Sequence, residues 1–156
     1  MPELVRVEII ALMPTQAGCA VFLGDGEKVI LFYIDPGVGL SINAAMSGQK
    51  MPRPLSHDLY MLTLQAFGAE VSRVVINRVD GDVFYARLIL EARNEIMERK
   101  IIELDARPSD CLAIAARAEC PIYVIPEVWE KLEDRKSLLD QMNGGQQQGP
   151  DFDFSE

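Results

Sequence analysis

The chain has 156 residues, 49% of them hydrophobic and 25% charged, with a formal net charge of −9 and a single histidine. That length lets one domain bury a core without disulfides or a structural metal. One histidine and three cysteines, none in Cys-x-x-Cys spacing, exclude zinc ribbons, metalloprotease helices and zinc hydrolases built on paired histidines.

Val5, Val7 and Ile9 alternate with Arg6 and Glu8, which predicts a half-buried strand over 4–13. Apolar runs at 19–23 and 28–34 flank Gly24-Asp25-Gly26, and Asp-Gly in that setting predicts a hairpin. A short helix is expected at 40–47 and a longer one at 56–67. A second hairpin joins 71–79 to 83–92 through Asp80-Gly81-Asp82, whose residues tolerate positive φ. A strand at 100–104, a helix at 109–118 and a short strand at 121–125 follow. Pro126 opens a last helical segment carrying Trp129 and Leu132. From 143 onward glycine, glutamine and acids dominate, a composition that cannot bury enough to order itself.

This order implies an α+β domain over 1–126, a helical extension over 127–142 and a flexible acidic tail over 143–156. A twisted, largely antiparallel sheet would pack on two central apolar helices. The helices at 56–67 and 109–118 are apolar nearly all round, through Leu59, Tyr60, Met61, Leu62 and Leu64 in one and Cys111 to Ala116 in the other. Such helices are enclosed on several sides. In a small domain a second copy can supply part of that cover, so a homo-oligomer is expected.

No apolar run approaches the roughly 18 residues of a membrane span, and the first residues lack the basic and apolar pattern of a signal peptide. A cytoplasmic location with Cys19, Cys111 and Cys120 reduced is the corresponding expectation. Eight acids and three bases fall after residue 126, against sixteen and twelve before it. The body is therefore mixed in charge and carries no broad basic face for nucleic acid.

Two segments carry the chemistry. Arg53-Pro54-Leu55-Ser56-His57-Asp58 precedes one apolar helix and Arg107-Pro108-Ser109-Asp110 the other. Proline fixes the entry, serine can cap, and aspartate suits the positive end of the helix dipole. An arginine beside free helix N–H groups makes a phosphate or carboxylate site. Histidine is the residue type whose charge changes near neutral pH, so His57 can serve as acid or base. Asp58, Asp105, Asp110 and Glu103 are hard oxygen donors suited to magnesium or manganese. Together these parts suit metal-assisted phosphodiester hydrolysis. The same residues also read as a clamp, with Arg107 on Asp58 or Arg53 on Asp110 tying the two helix starts.

Met51-Pro52-Arg53-Pro54-Leu55-Ser56-His57-Asp58-Leu59 and Glu103-Leu104-Asp105-Ala106-Arg107-Pro108-Ser109-Asp110-Cys111 resemble the two signatures of the bifunctional nuclease family of bacteria and plants. Val83-Phe84-Tyr85-Ala86-Arg87-Leu88 and Pro121-Ile122-Tyr123-Val124 resemble further strands of that family, so the likeness runs from about 4 to 128. It implies an α+β homo-oligomer with nuclease activity toward DNA and RNA. Arg53, His57, Asp58, Asp105, Arg107, Ser109 and Asp110 match its pattern. Val38 stands where the family tends to carry a glutamate, and no repair-protein helical motif is visible after 127.

Two functions follow. In the first, a magnesium- or manganese-dependent nuclease cleaves DNA or RNA with His57, Asp58 and Asp110 catalytic. Arg53, Arg107 and Ser109 then hold phosphate, and Asp58, Asp105 and Asp110 hold the metal. In the second, an oligomeric binding or regulatory domain uses the arginine-proline motifs only as helix clamps, a reading that Val38 and the acidic charge favour. Space discriminates them: the enzyme needs His57, two carboxylates and an arginine around one cleft, whereas the clamp leaves no room for phosphate.

Overall fold

The computed structural model describes residues 3–96 and 98–145. The tail assigned to 143–156 lies outside the described residues from 146 onward. In chain order the elements are β1 (Val5–Thr15), β2 (Gly18–Gly24), β3 (Val29–Ile34), α1 (Pro36–Ser47), α2 (Ser56–Ala66), β4 (Ala69–Asp80), β5 (Val83–Arg93), β6 (Arg99–Ala106), α3 (Pro108–Ala118), β7 (Ile122–Val124), α4 (Pro126–Lys131) and α5 (Lys136–Gly145). The strands form one seven-stranded sheet in the order β3-β2-β1-β7-β4-β5-β6. Among the described residues only the β4–β7 pairing is parallel, with Val74, Val75 and Ile76 opposite Ile122, Tyr123 and Val124. The architecture is α+β, as the pattern of runs implied.

Strand alternation sends Val21, Leu23, Val74, Ile76, Ala86 and Leu88 into the main core with α1 and α3. The intervening Phe22 and Ala20 join Met13, Val29 and Leu139 in a second cluster under α5. Burial on both faces makes β2 continuously apolar. The C-terminal segment also closes the sheet at β3. Val29 N–H donates to Asp134 Oδ1 (3.1 Å), Val29 C=O accepts from Arg135 N–H (2.6 Å), and Lys28 Nζ donates to the Trp129 carbonyl (2.6 Å). The first residue of this edge strand is thereby paired rather than left open.

Three differences from expectation have local causes. First, α1 begins at Pro36, four residues before the expected 40. Asp35 caps it by accepting from Gly37 N–H (2.7 Å), with proline in the first turn. Gly37 and Gly39 hide this helix from propensity arguments, yet Gly39 is required: a Cβ there would lie 2.8 Å from Cys19 Cβ and Sγ. Second, neither serine caps its helix. Ser56 and Ser109 lie inside α2 and α3, behind Leu55 and Arg107 at the cap positions.

Third, the two apolar helices differ in cover. α3 is central, with Cys111 through Ala115 buried. α2 buries no residue; Leu59 and Leu62 face outward and Phe67, just past its end, is 82% exposed. The enclosure expected for 56–67 is not supplied by the described residues. Among the described residues, no helix is long and apolar enough to cross a membrane.

Candidate functional site

Three helices start around one cavity of about 340 Å³. Asp35, Gly37, Val38 and Ser41 line it from α1 and its cap, Leu55, Ser56 and His57 from α2 and its cap, and Arg107 and Asp110 from α3 and its cap. Each helix start presents amides without intrahelical partners and the positive end of a dipole. Arg107 and the three helix starts bring positive charge to the cavity, and Asp35 and Asp110 bring two carboxylates.

His57 sits at its centre. Nε2 lies 2.9 Å from Asp110 Oδ1, and Nδ1 lies 2.7 Å from Ser41 Oγ. Asp110 also accepts from Arg107, Nε to Oδ2 at 2.8 Å and Nη2 to Oδ1 at 3.3 Å. Burial alone would raise the Asp110 carboxyl, but the Arg107 and His57 hydrogen bonds outweigh it and hold the group below the usual aspartate range. Asp110 is therefore a carboxylate, an acceptor at both oxygens. Its hydrogen bond and charge in turn raise Arg107.

The other matching residues go elsewhere. Asp58 Oδ1 accepts from Arg117 Nε (2.6 Å) and its Oδ2 from Leu55 N–H (2.8 Å). Burial would raise this carboxyl too, but Arg117 and the Leu55 amide lower it on balance. The second contact is half of a capping box, in which the third helical residue reaches back to the cap. Arg53 lines a separate cavity of about 780 Å³ with Asp58, Lys50, Glu70 and Arg117. Asp105 lies on β6, paired with Arg87 (3.1 Å). Ser109 is buried in the first turn of α3 and is not among the residues lining either cavity.

So His57, Arg107 and Asp110 come together, and Arg53, Asp58, Asp105 and Ser109 do not join them. The triplet Asp58, Asp105 and Asp110 forms no joint metal cage. Among the described residues, no group of three or more His, Cys, Asp or Glu is placed to hold a metal ion. The expected clamps, Arg107 on Asp58 and Arg53 on Asp110, are replaced by His57–Asp110 and Arg117–Asp58, both joining α2 to α3.

A two-residue difference in where each arginine stands relative to its helix start explains the split. Pro108 is the first residue of α3, so Arg107 is its cap and lies beside the helix start. In the first motif Leu55 intervenes and takes the cap position, which moves Arg53 two residues out of the helix. Asp58 and Asp110 are each third in their helix, but one faces an amide and Arg117 while the other faces His57 and Arg107.

Sequence reasoning missed three groups here. Asp35 had a signal, an Asp-Pro cap. Ser41 and Arg117 had none, because each matters only through a side chain on another helix. Val38, buried in the main core, also lines the cavity of His57 and Asp110. Cys111, on α3 beside Asp110, is not a reactive thiol. Burial, then the charges of Asp110 and Asp105, push it up to about 12.

The family described as "Bifunctional nuclease domain" matches residues 21–136. An uncharacterized protein of Mycobacterium tuberculosis (strain H37Rv) is 36% identical over 100 residues, covering 64% of this chain and 56% of that protein. "Bifunctional nuclease 1" of Oryza sativa subsp. indica is 33% identical over 101 residues, covering 64% of this chain and 30% of that protein. "Bifunctional nuclease" of Oryza minuta matches to the same extent. The match spans about half or less of these relatives' own length. The 21–136 match takes in all three helix starts, the His57–Asp110 pair and strands β3 to β7, and the chain belongs to the bifunctional nuclease domain family.

Proposed function

We propose that the chain is a nuclease that binds a phosphodiester of DNA or RNA at the cavity between the three helix starts. One observation carries this reading: His57, two carboxylates (Asp35 and Asp110) and Arg107 line a single open space with three positive helix ends. A clamp alone needs no such space. Arg107 spends two of its five N–H donors on Asp110, which leaves three for phosphate oxygens. Asp110 fixes the orientation of the His57 ring, and His57 moves the proton between attacking and leaving oxygens. The names of the rice relatives support the activity class.

The donor set does not fit a divalent ion caged by the protein. Both Asp110 oxygens already accept hydrogen bonds, and Asp35 Oδ1 is committed to Gly37 N–H. In this proposal magnesium or manganese arrives on the phosphate-and-water shell of the substrate, as magnesium often does. The steps assigned here belong to the chain's own residues.

The test is cleavage of single- and double-stranded DNA and of RNA by purified protein, with magnesium, with manganese and after EDTA. His57→Ala and Asp110→Ala run in parallel. The reading expects cleavage by the wild type and losses of about 10²–10⁴ in both variants. Equal cleavage by all three proteins, or none by folded wild type, overturns it.

A second property rests on a separate observation. The outward Leu59, Leu62 and Phe67 give α2 an apolar stripe that no described residue covers, which we assign to contact with a second copy of the chain. Light scattering behind size exclusion should read an oligomer for the wild type and a smaller species for Leu59→Glu. A wild-type monomer at tens of micromolar overturns this assignment.

A further inference from the structure

His57 has no free nitrogen. The Asp110 carboxylate accepts from the Arg107 guanidinium and offers His57 only lone pairs. In the neutral ring, Nε2 must therefore carry the proton and Nδ1 must be bare, a tautomer assigned from its partners. The neighbour of Nδ1 is Ser41 Oγ at 2.7 Å, so the Ser41 hydroxyl donates to it. A hydroxyl in mid-helix ordinarily bonds the carbonyl one turn back, as Thr63 does to Leu59 (2.8 Å). Ser41 turns across to α2 instead. It is 5% exposed, yet it lines the cavity. Ser41 and His57 both line that cavity, and with both ring nitrogens engaged the hydroxyl is the group that links Nδ1 to it.

Nucleophile, base and orienting carboxylate thus stand in one hydrogen-bonded row, one member each from α1, α2 and α3. We propose that Ser41 is the nucleophile of this site, with His57 its general base and Asp110 the group that fixes the ring; the assignment rests on the phosphodiester reading above. The same logic recurs wherever a weak hydroxyl nucleophile is activated by a base that a third group orients. Here the ring works in the opposite sense, with Nδ1 toward the serine. In the first step the Ser41 Oγ–P bond forms and the ester P–O bond breaks. The hydroxyl proton passes to His57 Nδ1 and on to the departing ester oxygen, which leaves as an alcohol. In the second step water attacks phosphorus, gives its proton to His57, and the Oγ–P bond breaks as Oγ takes that proton back. The products are a phosphomonoester and the original serine.

Diisopropyl fluorophosphate tests the first step without nucleic acid. The Oγ–P bond forms, fluoride leaves, and the hydroxyl proton goes to His57. Peptide mass spectrometry of the full chain should find the diisopropylphosphoryl group on Ser41, at least tenfold slower in His57→Gln and absent in Ser41→Ala. Ser41→Ala should also lose about 10² in nucleic-acid cleavage, while its unfolding midpoint, read by Trp129 fluorescence, stays near the wild type. No adduct on Ser41, or an equal labelling rate in His57→Gln, overturns the proposal. Wild-type cleavage by Ser41→Ala overturns it too and leaves the nuclease reading standing. His57-dependent labelling of Ser41 in a protein that cleaves no nucleic acid upholds the nucleophile and overturns the nuclease reading.

Discussion

Removing Arg117 tests whether Asp58 is a structural tie. The Arg117 side chain is 10% exposed and Asp58 38% exposed, so the two single truncations are not equivalent. Stripping one partner from a buried pair costs about 3–5 kcal/mol because a charge is left uncompensated. Arg117→Ala strands the more exposed member, which keeps Leu55 N–H, so about 2 kcal/mol is expected. Asp58→Ala strands the deeper charge, left with the Ala113 carbonyl (2.9 Å), and also removes the acceptor of the Leu55 N–H at the helix start, which raises its cost to about 3 kcal/mol. The double variant should cost less than the sum, with a coupling of about 1–2 kcal/mol. Urea titration read by the single, buried Trp129 measures all four corners of the cycle. A coupling within about 0.3 kcal/mol of zero would refute the tie. So would a larger cost for Arg117→Ala than for Asp58→Ala.

Three further outcomes follow from the same geometry. Gly39→Ala should destabilise by about 1–3 kcal/mol despite alanine's better helix propensity, because its Cβ meets Cys19 at 2.8 Å; a more stable variant in denaturant titration would show that α1 can shift. Folded Asp58 and Asp110 carboxyls lie below the ordinary aspartate value of about 3.9. Their stabilisation is therefore present at neutral pH and is lost as pH falls through the folded values. The stability gap between wild type and an Asp58→Asn, Asp110→Asn double variant should accordingly shrink in acid, and a gap that widens contradicts the assignment. Native alkylation with iodoacetamide near pH 8 should modify Cys120 before Cys19 and Cys111, since only Cys120 is partly exposed; early modification of Cys111 would contradict its burial.

The parts of this structure legible in the chain are those with short-range causes. Alternation in Val5–Thr15 and the Asp-Gly turns place the hairpins, and the apolar runs flanking Pro126 place β7 and α4. The Arg-Pro starts locate α2 and α3, and with them His57, Arg107 and Asp110. What escaped depends on relations between elements. Nothing within a few residues of Arg117 says that it meets Asp58, 59 positions away. Nothing near Ser41 says that it faces His57. The shared look of the two motifs even misleads, because the extra Leu55 carries Arg53 away from the helix start that Arg107 occupies. Glycines at 37 and 39 conceal α1 by lowering its helix propensity, although Gly39 is there for the helix's packing on Cys19.

The central claim is that phosphodiesters bind where the three helices begin. Backbone-amide NMR of the full chain, titrated with a short single-stranded oligonucleotide, addresses it directly. The account predicts shifts concentrated at Gly37, Val38, Ser56, His57 and Asp110. Shifts concentrated instead at Gln49, Lys50, Arg53 and Glu70, around the larger cavity, would contradict it, as would an unchanged spectrum at millimolar ligand.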